Sequence, residues 1–162
     1  ILVVIILKLT LLAAALKDLR LKKALLGLSM SKLVFTNGCF DILHKGHFKL
    51  LEYCKNQGST VVVGLNSDKS VKQLKGDSRP FFKQCDRKYA LECCRYVDRV
   101  IIFDEKTPYN LIKQLKPDII VKGGDYRKED VVGHDIAEVR IFNFVEGYST
   151  SKVLKAQENN NV

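Results

Sequence analysis

Thr36-Asn37-Gly38-Cys39-Phe40-Asp41-Ile42-Leu43-His44-Lys45-Gly46-His47 joins a short apolar run to an amphipathic one, and the organisation of the chain turns on that junction. Upstream, Lys32-Leu33-Val34-Phe35 has the composition of a short buried strand. Downstream, Phe48, Leu50, Leu51 and Cys54 recur at helical spacing. The stretch between them is predicted to be a strand-to-helix turn. It carries two of the three histidines, His44 and His47, three residues apart around Gly46. In an open α/β sheet such a turn presents backbone N–H groups and a helix N-terminus to an anion. Imidazoles can donate hydrogen bonds to phosphate oxygens, and a glycine lets a ligand approach the backbone closely. The plainer alternative is a turn with two surface histidines. The strand–turn–helix setting and the preceding Asn-Gly-Cys-Phe-Asp argue against it.

Strand-like and helix-like segments alternate along the rest of the chain. Strands are predicted at residues 33–36, 60–65, 99–103, 118–122 and 138–144, and helices at 45–56, 84–95, 109–115 and 149–156. Pro108 stands at the start of the third helix. A polar loop is expected between the second strand and the helix at 84–95, and another loop over 123–135. This alternation predicts an α/β protein with a doubly wound, parallel five-stranded sheet and right-handed crossovers. Ligand then binds at the carboxyl ends of the strands, near the point where strand order reverses.

One domain is expected over residues 30–157. An apolar, helical segment (1–29) precedes it and a polar tail (158–162) follows. Residues 1–16 are broken by Lys8 and Thr10, which disfavours a membrane span. The basic residues follow that apolar run rather than precede it, which disfavours a signal peptide. The five cysteines are odd in number and sit in apolar patterns, so buried, reduced thiols in a cytoplasmic protein are expected. The net charge is +9, of which +4 lies in the first thirty residues. The remainder is scattered, with no basic run interleaved with aromatics. That distribution suits phosphate-bearing small molecules better than nucleic acid.

The segment from Phe35 to His47 resembles the H-x-G-H nucleotidyltransferases, in particular their cytidylyltransferase-like branch. Within it, the stretch is most similar to the heptose-1-phosphate adenylyltransferases. Three later segments agree in order and spacing: Gly64-Leu65-Asn66-Ser67-Asp68, Val121-Lys122-Gly123-Gly124-Asp125-Tyr126 and Glu146-Gly147-Tyr148-Ser149-Thr150. The resemblance implies a Rossmann-like nucleotidyltransferase fold. It also implies transfer of AMP from ATP to D-glycero-D-manno-heptose 1-phosphate with Mg²⁺, giving ADP-heptose and pyrophosphate, in a cytoplasmic homodimer.

By this resemblance His44 and His47 are the signature pair that donates to the triphosphate. Asn37, Gly38, Cys39, Phe40, Asp41 and Gly46 line the nucleotide. Asp41 can orient an imidazole, accept a sugar hydroxyl, help hold Mg²⁺, or simply cap the helix. Cys39 stands where related cytidylyltransferases commonly have threonine, and a nucleophilic role for it is disfavoured because the family resembles direct-displacement catalysts. Lys72 and Lys75 are placed on a loop that closes over phosphate, with solvated surface as the alternative. Arg87 either faces the nucleotide or forms a helix-surface ion pair. Asn66, Asp68 and Arg79 are implied in substrate binding, together with Asp41. Lys122, Gly123, Gly124 and Asp125 border base and ribose, or form a plain strand-exit turn. Tyr148, Ser149 and Thr150 precede the last helix and either face the phosphates or cap it. His134 is expected to be a surface or internally satisfied histidine. Two rival functions are a cytidylyltransferase acting on glycerol 3-phosphate or a similar alcohol phosphate, and a non-catalytic nucleotide-binding module.

Overall fold

The computed structural model describes residues 31–143. The expectations for residues 1–29, for Tyr148, Ser149 and Thr150, for the helix at 149–156 and for the tail lie outside the described residues. Five strands form one sheet: β1 Leu33–Gly38, β2 Thr60–Asn66, β3 Arg99–Phe103, β4 Ile119–Gly123 and β5 Glu138–Phe142. Their order is β3-β2-β1-β4-β5, and every neighbouring pair is parallel. From the middle strand β1 the path winds outward through β2 and β3, then crosses to β4 and β5. Strand order therefore reverses between β1 and β4, where an open α/β sheet places its ligand crevice.

Helices α1 (Lys45–Gln57), α2 (Asp68–Lys75), α3 (Gln84–Glu92) and α4 (Tyr109–Leu115) join the strands, and a 3₁₀ turn spans Lys128–Asp130. Alternation of side chains along the strands sorts the core into two layers. On one face Val34, Val61, Val63, Leu65, Ile119 and Val121 pack with Leu50, Leu51 and Cys54 of α1 and Leu91 of α3. On the other, Phe35, Val62 and Ile120 pack with Ile112 of α4 and Val131. Cover on both faces explains why these strands read as unbroken Val/Ile/Leu runs rather than alternating ones.

Two aspartates tie down the strand beginnings. Asp98 accepts from the Val61 N–H at 2.7 Å, and Asp118 accepts from the Leu33 N–H at 2.8 Å. Gly58, between α1 and β2, permits a close pass: a Cβ there would lie 2.5 Å from the Lys32 carbonyl oxygen.

Three expectations need correction. The polar stretch after β2 is not a loop at first but the helix α2. Ser67 caps it by accepting from the Ser70 N–H, and Gly76, at φ 94°, ends it. Apart from Ser70 and Val71 this helix buries nothing, so its polar face reads as a loop. Helix α3 stops at Glu92, short of residue 95, and turns at the adjacent Cys93 and Cys94. Only Cys54 of the five free cysteines is buried; Cys85 and Cys93 are exposed and Cys39 and Cys94 are partly so.

Candidate active site

The β1–α1 junction brings Asn37 through His47 to the carboxyl edge of the sheet. His44, not Asp41, is the N-cap of α1: its Nδ1 accepts a hydrogen bond from the Gly46 N–H at 3.1 Å. With Nδ1 used as an acceptor, the neutral ring carries its hydrogen on Nε2. His47 stacks on it, ring centroids 4.0 Å apart, and contacts the Phe40 ring at 5.1 Å. Phe40 holds φ at 44°, in the left-handed region that an aromatic residue rarely adopts. Strain of this kind collects at functional sites, where surrounding contacts over-determine the backbone.

Burial lowers the pKa of both imidazoles. His47 is pushed down to about 4 by desolvation and then by the neighbouring His44 ring, with the Ile42 carbonyl pulling the other way. Its Nδ1 is buried and makes no hydrogen bond among the described residues. Both rings are therefore neutral near pH 7. Unfolding restores an ordinary histidine pKa near 6.5, so below that pH the unfolded chain takes up the proton first. The stabilising effect of the neutral ring is complete above about pH 6.5 and is lost as pH falls toward 4. We expect His47→Gln to flatten the decline of Tm across that window. The slope removed is at most about 1.4 kcal/mol per pH unit. An unchanged decline would show that His47 is not desolvated.

Asp41 is 3% exposed and its oxygens are engaged. It accepts from Arg79 Nε at 2.6 Å, from the Phe81 N–H at 2.8 Å and from the Phe82 N–H at 3.0 Å. Burial pushes its carboxyl up, but the Phe81 and Phe82 N–H groups and the Arg79 guanidinium outweigh that and hold it below the usual range. Asp41 thus pins the segment after α2 against the β1–α1 turn, and Arg79 is its partner.

Arg87 is 2% exposed, neither on the helix surface nor open toward a ligand. Its Nε donates to the Phe82 carbonyl at 2.9 Å. One terminal nitrogen donates to the carbonyls of Cys39 at 2.6 Å and Asn66 at 2.9 Å, and the other to Asp68 Oδ1 at 2.8 Å. A single guanidinium therefore joins the ends of β1 and β2 to α2 and to the segment after it. Asn66 also donates through its side-chain amide to the Ser70 hydroxyl at 2.9 Å. Asp41, Asn66, Asp68, Arg79 and Arg87 form one internal polar network. Asp41, Asn66 and Arg87 are buried within it, whereas Asp68 and Arg79 are partly exposed.

Lys75 lies on the exposed last turn of α2, close enough for its charge to lower the Cys39 and Lys122 pKa values. Lys72 is also exposed, and no such influence ties it to these groups. Burial raises the Cys39 thiol pKa, against the opposing charges of Lys75, Arg87 and Arg79, so Cys39 is a thiol rather than a thiolate. At the end of β4, Lys122 is partly buried, donates to Asn37 Oδ1 at 3.4 Å and sits 5.6 Å from the Tyr126 ring centroid. Gly124, at φ 127°, turns the chain there and donates its N–H to the Phe142 carbonyl. Asp125 is exposed. His134 stands apart, its Nδ1 3.1 Å from the Val131 carbonyl, satisfied within its own turn.

The sequence profile of the cytidylyltransferase-like family matches residues 35–161. The bifunctional protein HldE of Nitratiruptor sp. is 58% identical over 125 residues, which are 76% of this chain and 27% of that protein. HldE of Helicobacter pylori is 49% identical over 140 residues, 86% of this chain and 30% of that protein. The chain thus spans less than a third of the length of these relatives. Among solved structures, the lipopolysaccharide core biosynthesis protein of Thermoplasma volcanium aligns with a TM-score of 0.60 at 28% identity, over 74% of this chain and 99% of that one.

Proposed function

Because the chain belongs to the cytidylyltransferase-like family, we propose that it is an adenylyltransferase moving AMP from ATP to D-glycero-D-manno-heptose 1-phosphate. The observation that carries this reading is the stacked, neutral His44–His47 pair at the start of α1, beside the reversal of strand order. An oxygen of the sugar phosphate attacks the α-phosphorus. The bond from that phosphorus to the bridging oxygen of the β-phosphate breaks, and pyrophosphate leaves with the electron pair. Such a displacement asks the protein for positioning and charge stabilisation rather than covalent chemistry. The imidazoles donate hydrogen bonds to the phosphate oxygens, and Lys75 adds a flexible counter-charge from the exposed end of α2. The raised thiol pKa of Cys39 agrees with direct displacement.

Mg²⁺ bound with ATP would supply neutralisation of phosphate charge. Among the described residues no three His, Cys, Asp or Glu side chains gather to hold a metal, and the oxygens of Asp41 already accept from N–H groups. This donor set fits an ion carried by phosphates and water rather than by a protein cage.

The sugar is inferred from Gly38-Cys39-Phe40-Asp41 and Lys122-Gly123-Gly124-Asp125-Tyr126, read with the likeness to the HldE proteins and to the lipopolysaccharide core biosynthesis protein. The product, ADP-heptose, then serves surface-glycan assembly. The cytoplasm, where ATP is abundant and thiols stay reduced, is the compartment this reading requires. Pyrophosphate release tests it, measured with ATP or CTP against heptose 1-phosphate or glycerol 3-phosphate. The fastest release is expected from ATP with heptose 1-phosphate. Preference for CTP with glycerol 3-phosphate would make the protein a cytidylyltransferase, and no release from any pair would leave a binding module.

A further inference from the structure

Four cations surround the Cys39 end of β1, and they divide into two kinds. Arg79 is paired with Asp41 and Arg87 with Asp68. Lys75 and Lys122 have no carboxylate partner among the described residues. Lys75 is exposed and solvated, whereas Lys122 is partly buried and held between two neutral groups, the Asn37 amide oxygen and the Tyr126 ring. A partly desolvated ammonium without a counter-ion is costly in a folded protein unless an anion arrives to meet it. Burial accordingly lowers its pKa; Cys39 opposes that shift and Lys75 adds to it.

The placement of this ammonium is specific. Continuing the β1–β4 register two residues beyond Phe35↔Ile120 brings Asn37 beside Lys122, across the reversal point of strand order. By strand alternation both side chains leave the sheet on the Phe35 and Ile120 face, whereas α1 covers the Val34 and Val121 face. The histidines and Lys122 therefore approach the crevice from opposite faces of the sheet.

We infer that Lys122 is a phosphate-binding residue of this site, its ammonium taking an oxygen of the nucleotide's phosphate chain from the side opposite His44 and His47. The inference rests on the proposed reading of the site and assigns the lysine to phosphate rather than to base or ribose. Asn37 orients the ammonium as an acceptor, and the Tyr126 ring facing it favours the charged form.

The test compares ATP with adenosine, which shares base and ribose but lacks phosphate, by ligand-observed NMR titration without acceptor. Lys122→Met is expected to weaken ATP binding about 10–100-fold and to leave adenosine binding unchanged. Its Tm is expected to stay level or rise, because a partly buried charge with no carboxylate partner among the described residues is replaced by an apolar side chain of similar length. Lys122→Arg, which keeps the charge, is expected to recover most of the ATP affinity. Equal weakening of ATP and adenosine, or unchanged ATP binding with a poorer KM for the sugar phosphate, would overturn the assignment. So would a fall in Tm with no separate effect on ATP. Binding is read without turnover, so its outcome is distinct from whether the wild-type protein releases pyrophosphate with heptose 1-phosphate.

Discussion

Replacing His47 by alanine is expected to slow pyrophosphate release from ATP and heptose 1-phosphate by about 10²–10³-fold, the usual effect of losing one preorganised donor to developing charge. Three features of the site point to an effect of that size. The ring packs against His44 at 4.0 Å and Phe40 at 5.1 Å, so little reorganisation is needed when charge develops on phosphate. It is desolvated, which strengthens any hydrogen bond it makes inside the crevice. Its pKa of about 4 keeps it neutral, so it can donate at physiological pH without titrating. The loss is expected mainly in kcat, because a donor aimed at charge that grows during displacement contributes less to ground-state binding. Unfolding by urea should show a smaller change than turnover does, because His47 lies at the rim of the core rather than within it. Full turnover in His47→Ala would remove the imidazole pair from the mechanism.

The largest effect on stability is expected at Arg87. Arg87→Met leaves the carbonyls of Cys39, Asn66 and Phe82 and the Asp68 carboxylate without their donor. The Asp68 carboxylate is partly exposed and can be solvated, so the cost falls mainly on the carbonyls, at about 1–3 kcal/mol for each group left unsatisfied. Arg87→Lys should rescue only part of this, since an ammonium is a point charge and cannot span four acceptors in a plane. Equilibrium urea unfolding measures the difference. A loss under about 1 kcal/mol for Arg87→Met would mean that water replaces the guanidinium and that the β1 and β2 ends do not depend on it. Activity should fall along with stability, because the Cys39 carbonyl bound by Arg87 lies five residues before His44.

How much of this was legible beforehand varies from one element to the next. Strand β3 and helix α4 have the bounds that their periodicity predicts, because an apolar run between polar flanks and a proline at a helix start are local signals. Helix α2 was missed although its start and stop signals are present in Ser67 and Gly76. Val71 is its one buried apolar residue, which is too few to show a 3.6 period. The histidine pair was legible from residue spacing and strand–turn–helix context. That His44 caps α1 was not, since an aspartate three residues earlier is the more ordinary cap.

The charged residues separate the two kinds of knowledge most sharply. The succession of strands, the parallel sheet and the turn at His44–His47 follow from composition, periodicity and turn chemistry acting over a few residues, so the sequence alone determined them. Which cations near the turn are paired with carboxylates, and which have no such partner among the described residues, was decided only by the tertiary structure. Arg87 meets partners 48, 21 and 19 residues away, and Lys122 meets Asn37 at a separation of 85. Ion pairing and desolvation depend on distance through space, and in a sheet whose strand order departs from chain order that distance has no local signature in sequence.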